Sequence, residues 1–312
     1  MKTVILLATA ASALRIAYVG DSLAYGMHGE FEPAPPDHAQ NGPQSPDAPP
    51  TVLQHLVGDS HEVVNLGNSG RCVAHDITLG DGGANISFAI TAEYARLMSG
   101  SWDIVVIQLG TNDAPIWDHT LCPLPVQWEA CSRTNFVVDY LGLIESVRSL
   151  NTTSGTPGGP AIFLSIPPPL TGAPSSDEPE VRVVSELFPV LIRLIAARTA
   201  ASLIDHFSAF GGEALVNGTA QLPCRRVATD APPCSLMCDS TWCDNIHPTD
   251  AGYRRLAETT YAAIAPRLSQ PSVQEAQLHA ASAIDDFDRG RSRSAATGTA
   301  RRRQRQRVMQ PA

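Results

Sequence analysis

The chain has 312 residues, 43% hydrophobic and 17% charged, enough to bury one substantial core without needing a second. Its formal charge of −9 is uneven: eight arginines lie between Arg289 and Arg307 with no acidic residue after Asp288, and removing those eight from the 22 basic residues leaves residues 1–288 with fourteen against 31 acidic, or −17. An acidic body excludes a nucleic-acid-binding domain, whose phosphate contacts need clustered Lys and Arg, and no apolar run reaches the ~18 residues of a transmembrane helix.

In chain order, "MKTVILLATAASA" has a lysine, an apolar stretch and Ala11-Ser12-Ala13, the three regions of a secretory signal peptide, so residues 1–13 read as a signal for secretion. Residues 14–268 then read as one domain. Apolar runs rich in β-branched residues predict strands at 14–19, 62–66, 103–109, 161–166 and 202–207. Their hydrophobicity is continuous rather than alternating, which suggests strands covered on both faces, hence a parallel sheet. Helical patterns fall between them at 51–57, 88–98, 134–150 and 181–200, and "TDAGYRRLAETTYAAIAPRL" (249–268) puts Tyr253, Leu256, Ala257, Tyr261, Ile264 and Leu268 on one stripe. The alternation predicts an α/β three-layer sandwich with a central parallel sheet. Seven prolines in residues 30–50 predict an extended loop, and residues 217–243 read as a Cys-rich insertion. Residues 269–312, Arg-rich at their end, read as a disordered tail.

Seven cysteines fit a secreted chain. Cys122 and Cys131 are the easiest local pair, and Cys224, Cys234, Cys238 and Cys243 allow three disulfide connectivities or, as the rival, a four-cysteine zinc site. Cys72 is then the odd one, free or otherwise paired. Sequons at Asn85, Asn151 and Asn217 agree with a secretory route. Nothing in the sequence specifies an oligomeric state.

Ligands of open α/β sheets gather at the carboxyl ends of the strands. Three segments there are unusual: "GDSLAYG" (20–26), "GNSGRC" (67–72) and "GTND" (110–113); a fourth, "CDNIHP" (243–248), precedes the last helix. Together they supply a serine, main-chain amides at glycines, a primary amide, a carboxylate and an imidazole, the parts of an acyl-transfer site. A serine hydroxyl needs a base to take its proton, and the imidazole needs an acceptor on its other nitrogen. Ser22, His247 and Asp244 fit those roles, and Pro248 biases His247 away from helix. "VGDSHE" (57–62) is a decoy: Ser60 follows a helical pattern and precedes a strand, on the opposite edge of the sheet from Ser22. Asp21 and Asp113 read as loop-organising acceptors, and Gly67 and Gly110 as permitting turns. Trp117 and His119 are candidates for the substrate pocket. His75, His119 and His206 have no partner pattern and read as structural or surface residues.

In these blocks the chain resembles the SGNH hydrolases, the GDSL esterase and lipase superfamily, over roughly residues 14–268. "DIVVIQLGTND", "IFLSIPPPL" and "NIHPTDAGYRRLA" look most like its extracellular sialate O-acetylesterase-like branch. The resemblance implies a flavodoxin-like fold and an oxyanion hole built from the main-chain amides of Ser22 and Gly70 and the side-chain amide of Asn112. It implies a serine esterase working through an acyl-enzyme, without cofactor or metal, on a small-molecule or glycan ester, with small acyl groups as the expected cargo. Lipid ester or thioester hydrolysis is the alternative within the enzyme class. Two other classes are a metal-dependent phosphoesterase using Asp21, Asp113, Asp244 and His247, and a catalytically inactive glycan-binding protein. The first leaves Ser22, Gly70 and Asn112 without work, and nothing in the blocks hints at the missing group that the second requires.

Overall fold

All five predicted apolar runs are strands: β1 (Arg15–Gly20), β2 (Glu62–Gly67), β3 (Ile104–Gln108), β4 (Ala161–Ile166) and β5 (Ser202–Asp205). The computed structural model describes residues 13–27, 44–75, 85–116, 136–170, 183–216, 235–237 and 246–268. The strands pair in parallel in the order β2-β1-β3-β4-β5. That is the doubly wound, flavodoxin-like order, and its topological switch point lies between β1 and β3, where such sheets hold their ligands.

Among the described residues the α-helices are α1 (Ser22–Tyr25), α2 (Pro49–Val57), α3 (Ala92–Ser99), α4 (Phe136–Arg148), α5 (Phe188–Thr199, entered through a π-helical turn at Val183–Leu187), α6 (His206–Ala209), α7 (Gly212–Val216) and α8 (Asp250–Leu268). Successive strand residues alternate faces. Ile16, Tyr18, Ile104, Val106 and Phe163 therefore pack against Leu53 and Val57 of α2 and Ala257 and Ile264 of α8. On the opposite face Ala17, Val19, Val105, Ile107 and Leu164 meet Leu97 of α3, Ile144 and Val147 of α4, and Leu191 and Ile195 of α5. Burial on both faces is why these runs are apolar throughout, and the architecture is the expected α/β three-layer sandwich.

Several boundaries differ from expectation. The Pro-rich segment ends sooner than 50, because Pro49 and Pro50 form the first turn of α2, where a proline lacks no bond the helix needs. The predicted helix 88–98 is two pieces: a 3-10 turn at Phe88–Ile90, then α3, started by the Thr91 side chain accepting from Tyr94 N–H. The strand expected over 202–207 stops at Asp205, whose side chain accepts from Ser208 N–H and turns the chain into α6.

Beneath α8, buried polar groups of β1, β3, β4, α6 and α8 itself are joined in one network. The Tyr18 hydroxyl donates to Gln108 Oε1 at 2.8 Å and lies 3.3 Å from Thr260 Oγ1. Thr260 Oγ1 is 3.2 Å from His206 Nε2, which is also 3.1 Å from the Leu256 carbonyl. His206 Nδ1 is 2.7 Å from Ser165 Oγ. A donor at Nε2 and an acceptor at Nδ1 satisfy every contact, so the neutral imidazole fits the network. His206 is thus a structural residue that ties α8 to the sheet. Burial pushes its pKa down to about 4. A histidine held neutral contributes stability that is complete above its unfolded pKa near 6.5 and is lost as pH falls toward 4, ~3 kcal/mol in all. Asp21 and Asp113, pushed up to about 6 and about 7 by burial, act in the opposite sense, their contribution being lost as pH rises through those values. The two trends partly cancel in the wild type, so the test is a difference. His206→Gln is expected to be less stable than wild type in urea at pH 7, with the gap narrowing by about 2–3 kcal/mol at pH 4.5; a constant gap refutes a neutral His206.

Candidate active site

β1 ends at Gly20, and the chain turns at once into the single-turn α1. Asp21 caps that turn, its Oδ1 accepting from Leu23 N–H at 2.9 Å. The Ser22 carbonyl accepts from Gly26 and Met27 N–H, both at 2.9 Å. Ser22 is therefore the first residue of a turn pinned at both ends, buried at the carboxyl edge beside the switch point. Gly67 allows this seat by lacking a side chain rather than by permitting a turn: a Cβ there would meet Tyr25 N at 2.2 Å. Ser60, by contrast, lies in the turn between α2 and β2, at the amino edge of the sheet.

The loop after β2 reaches the same edge. Asn68 N–H donates to the Gly20 carbonyl at 2.9 Å, and Gly70 takes φ +70°, which glycine adopts without strain. Arg71 follows, buried, with its Nε donating to Asn68 Oδ1 at 2.9 Å and Nη1 to the Asn85 carbonyl at 3.1 Å. The Arg71 carbonyl in turn accepts from Asn112 Nδ2 at 3.1 Å. Asn112 belongs to the 3-10 turn Thr111–Ile116 after β3, so one hydrogen bond joins the ends of β2 and β3. A primary amide has two N–H groups, and this bond leaves the second for another acceptor. Asp113 completes the join: its two oxygens accept from Val73 and Ala74 N–H, both at 3.0 Å. Asp21 and Asp113 both have the loop-organising role expected of them.

His247 is buried just ahead of α8. Its loop is held by Thr249, whose N–H donates to the Leu236 carbonyl at 3.0 Å and whose Oγ1 accepts from Gly252 N–H at 3.1 Å. The Tyr253 hydroxyl donates to the Met27 carbonyl, fastening the start of α8 to the segment after α1. Asp21 and His247 are close enough to interact: burial raises the Asp21 pKa, while the Leu23 N–H and the charge of His247 lower it. Ser22, Gly70, Asn112 and His247 therefore come from four separate segments around one edge of the sheet. Asp244, Trp117 and His119 lie outside the described residues, as do all the cysteines except Cys72, which is a free, buried thiol. Among the described residues no group of three His, Cys, Asp or Glu is placed to hold a metal ion, and no helix is long and apolar enough to cross a membrane.

The GDSL-like lipase/acylhydrolase family matches residues 18–255, from the end of β1 into α8. The chain belongs to that family. It is accordingly an SGNH-type serine ester hydrolase; the finer sialate branch is not established by the match. Solved structures share the fold of this family member. A carbohydrate acetylesterase family member from Sinorhizobium meliloti aligns with TM-score 0.53 and 21% identity over 82% of this chain and 100% of its own. The native aryl esterase of M. smegmatis aligns with TM-score 0.53 and 20% identity over 81% and 99%. No curated protein matches the chain.

Two features escaped the sequence reading. Arg71 is the only Lys or Arg buried among the described residues; its signal is an arginine between glycine and the apolar "CVA". The polar network is signalled by Tyr18, Gln108, Ser165 and His206, polar side chains within or at the end of predominantly apolar strand runs.

Proposed function

We propose that the chain is a secreted esterase that removes small acyl groups, acetyl above all, from a glycan through a covalent acyl-enzyme. Ser22 attacks the carbonyl carbon, His247 takes the hydroxyl proton and later returns it to the leaving alcohol, and Asp244 orients the imidazole. The main-chain amides of Ser22 and Gly70 and the second N–H of Asn112 receive the oxyanion. One observation carries this reading: the Asn112 amide is held on the Arg71 carbonyl, beside Gly70 and across the switch point from Ser22. Asp244 extends the same logic as the acceptor for the other imidazole nitrogen. Trp117 and His119, following the Asn112 turn, would line the acyl or alcohol pocket. The glycan and the small acyl group draw support from the sequence resemblance and from the acetylesterase among the structural neighbours. Secretion draws support from the Ala11-Ser12-Ala13 pattern and from Asn151, an exposed sequon asparagine.

Turnover of 4-nitrophenyl esters of increasing acyl length, with acetylated oligosaccharides alongside, tests the substrate class. A pocket closed around acetyl is expected to lose at least about tenfold in kcat/KM between acetyl and butyryl. Rates that hold or rise toward octanoyl favour the lipid-ester alternative.

A further inference from the structure

We infer that Arg71 forms an anion subsite beside the scissile ester, so that preferred substrates carry a carboxylate on a group next to the bond that is cut. The inference rests on the esterase reading above and adds the chemical class of its substrate. Arg71 is 7% exposed and is the one buried Lys or Arg among the described residues. A buried guanidinium is costly unless a carboxylate pairs with it, yet its contacts are both neutral oxygens, Asn68 Oδ1 and the Asn85 carbonyl. The buried carboxylates of this region are committed elsewhere: Asp113 to the amides of Val73 and Ala74, and Asp21 to the amide of Leu23. Glu93 reaches Arg71 only through a neutral relay, its Oε2 accepting from Asn68 Nδ2 at 2.8 Å.

The position suits a ligand. Asn68, which holds the guanidinium, donates its own N–H to the carbonyl of Gly20, two residues before Ser22. The Arg71 carbonyl holds the amide of Asn112. Arg71 thus stands in the loop whose main chain is tied to the strand end before the proposed nucleophile and to the proposed oxyanion donor. Two of the five guanidinium N–H donors are used by the contacts above, and those left are enough for a bidentate carboxylate. No bond is made or broken at Arg71 itself; its contribution is affinity and orientation.

The test compares neutral and anionic partners of nearly equal shape: 3-acetoxybenzoate against 3-acetoxybenzamide for the alcohol side, and the 4-nitrophenyl monoester of adipate against its methyl ester for the acyl side. In at least one pair, wild-type kcat/KM is expected to favour the anion about tenfold or more, and Arg71→Gln is expected to bring that ratio close to one whatever its absolute rate. Arg71→Lys, which keeps the charge and loses the fork, should retain an intermediate ratio. If the glutamine variant does not fold, inhibition of wild type by benzoate and by benzamide decides, benzoate being expected to bind about tenfold more tightly. Equal rates within both wild-type pairs, an unchanged ratio in Arg71→Gln, or equal inhibition by benzoate and benzamide overturns the subsite. Turnover of the neutral esters in such a case leaves the esterase reading intact, whereas absence of turnover on all four esters removes the esterase reading itself.

Discussion

Ser22→Ala is expected to abolish hydrolysis of an aryl acetate, lowering kcat by about 10⁴–10⁶, while the protein unfolds in urea as wild type does. The two halves of this expectation have separate causes. α1 is held by main-chain and Asp21 contacts: Oδ1 of Asp21 on Leu23 N–H, and the Ser22 carbonyl on Gly26 and Met27 N–H. An alanine keeps all of them and is a better helix former than serine. In the proposed mechanism the hydroxyl is needed only for attack on the ester. A fluorophosphonate should label wild type once, at Ser22, and leave Ser22→Ala unmodified. Ser60→Ala is the control, since the amino edge of the sheet offers it none of the groups gathered around Ser22. Labelling that persists in Ser22→Ala, or disappears in Ser60→Ala, would move the nucleophile out of this site.

Much of the fold was legible because both sheet faces are covered, which leaves long apolar runs that stand out against polar loops. Strand order came only through the family resemblance and its flavodoxin-like fold, since the register of Ile16 with both Val63 and Ile104 depends on contacts remote in sequence. Local chemistry overrode pattern at three places: Pro49 and Pro50 open a helix instead of preventing one, Thr91 cuts a helix in two, and Asp205 ends a strand. Within the candidate site, Ser22, Gly70 and Asn112 could be placed at the carboxyl edge because each follows a strand. His247 could be found by its proline and the helix behind it. Arg71 could not, because an arginine in a loop reads as a solvated charge until its burial is known. The His206 network was equally hidden: Tyr18 and Thr260 are 242 residues apart, and a lone polar residue in a strand does not name its partner.

Asn112→Ala should separate a donor from a turn residue. In the proposed mechanism, negative charge develops on the former carbonyl oxygen of the tetrahedral intermediate, and the amide N–H not engaged by the Arg71 carbonyl receives it. Removing that donor is expected to lower kcat by about 10²–10³, or ~3–4 kcal/mol, with KM little changed, because the bond strengthens only as the charge forms. Main-chain donors at Ser22 and Gly70 survive the substitution, so activity falls steeply without vanishing. The same change removes the link from Asn112 Nδ2 to the Arg71 carbonyl, a cost of about 1 kcal/mol in stability. It leaves the bonds of Asp113 to Val73 and Ala74, which fix the two loops independently. A residue that merely shaped the turn would give the reverse pattern: most of the loss in the unfolding free energy, and a near-normal kcat in the folded fraction. That result would take Asn112 out of the oxyanion hole and leave the task to the two main-chain amides.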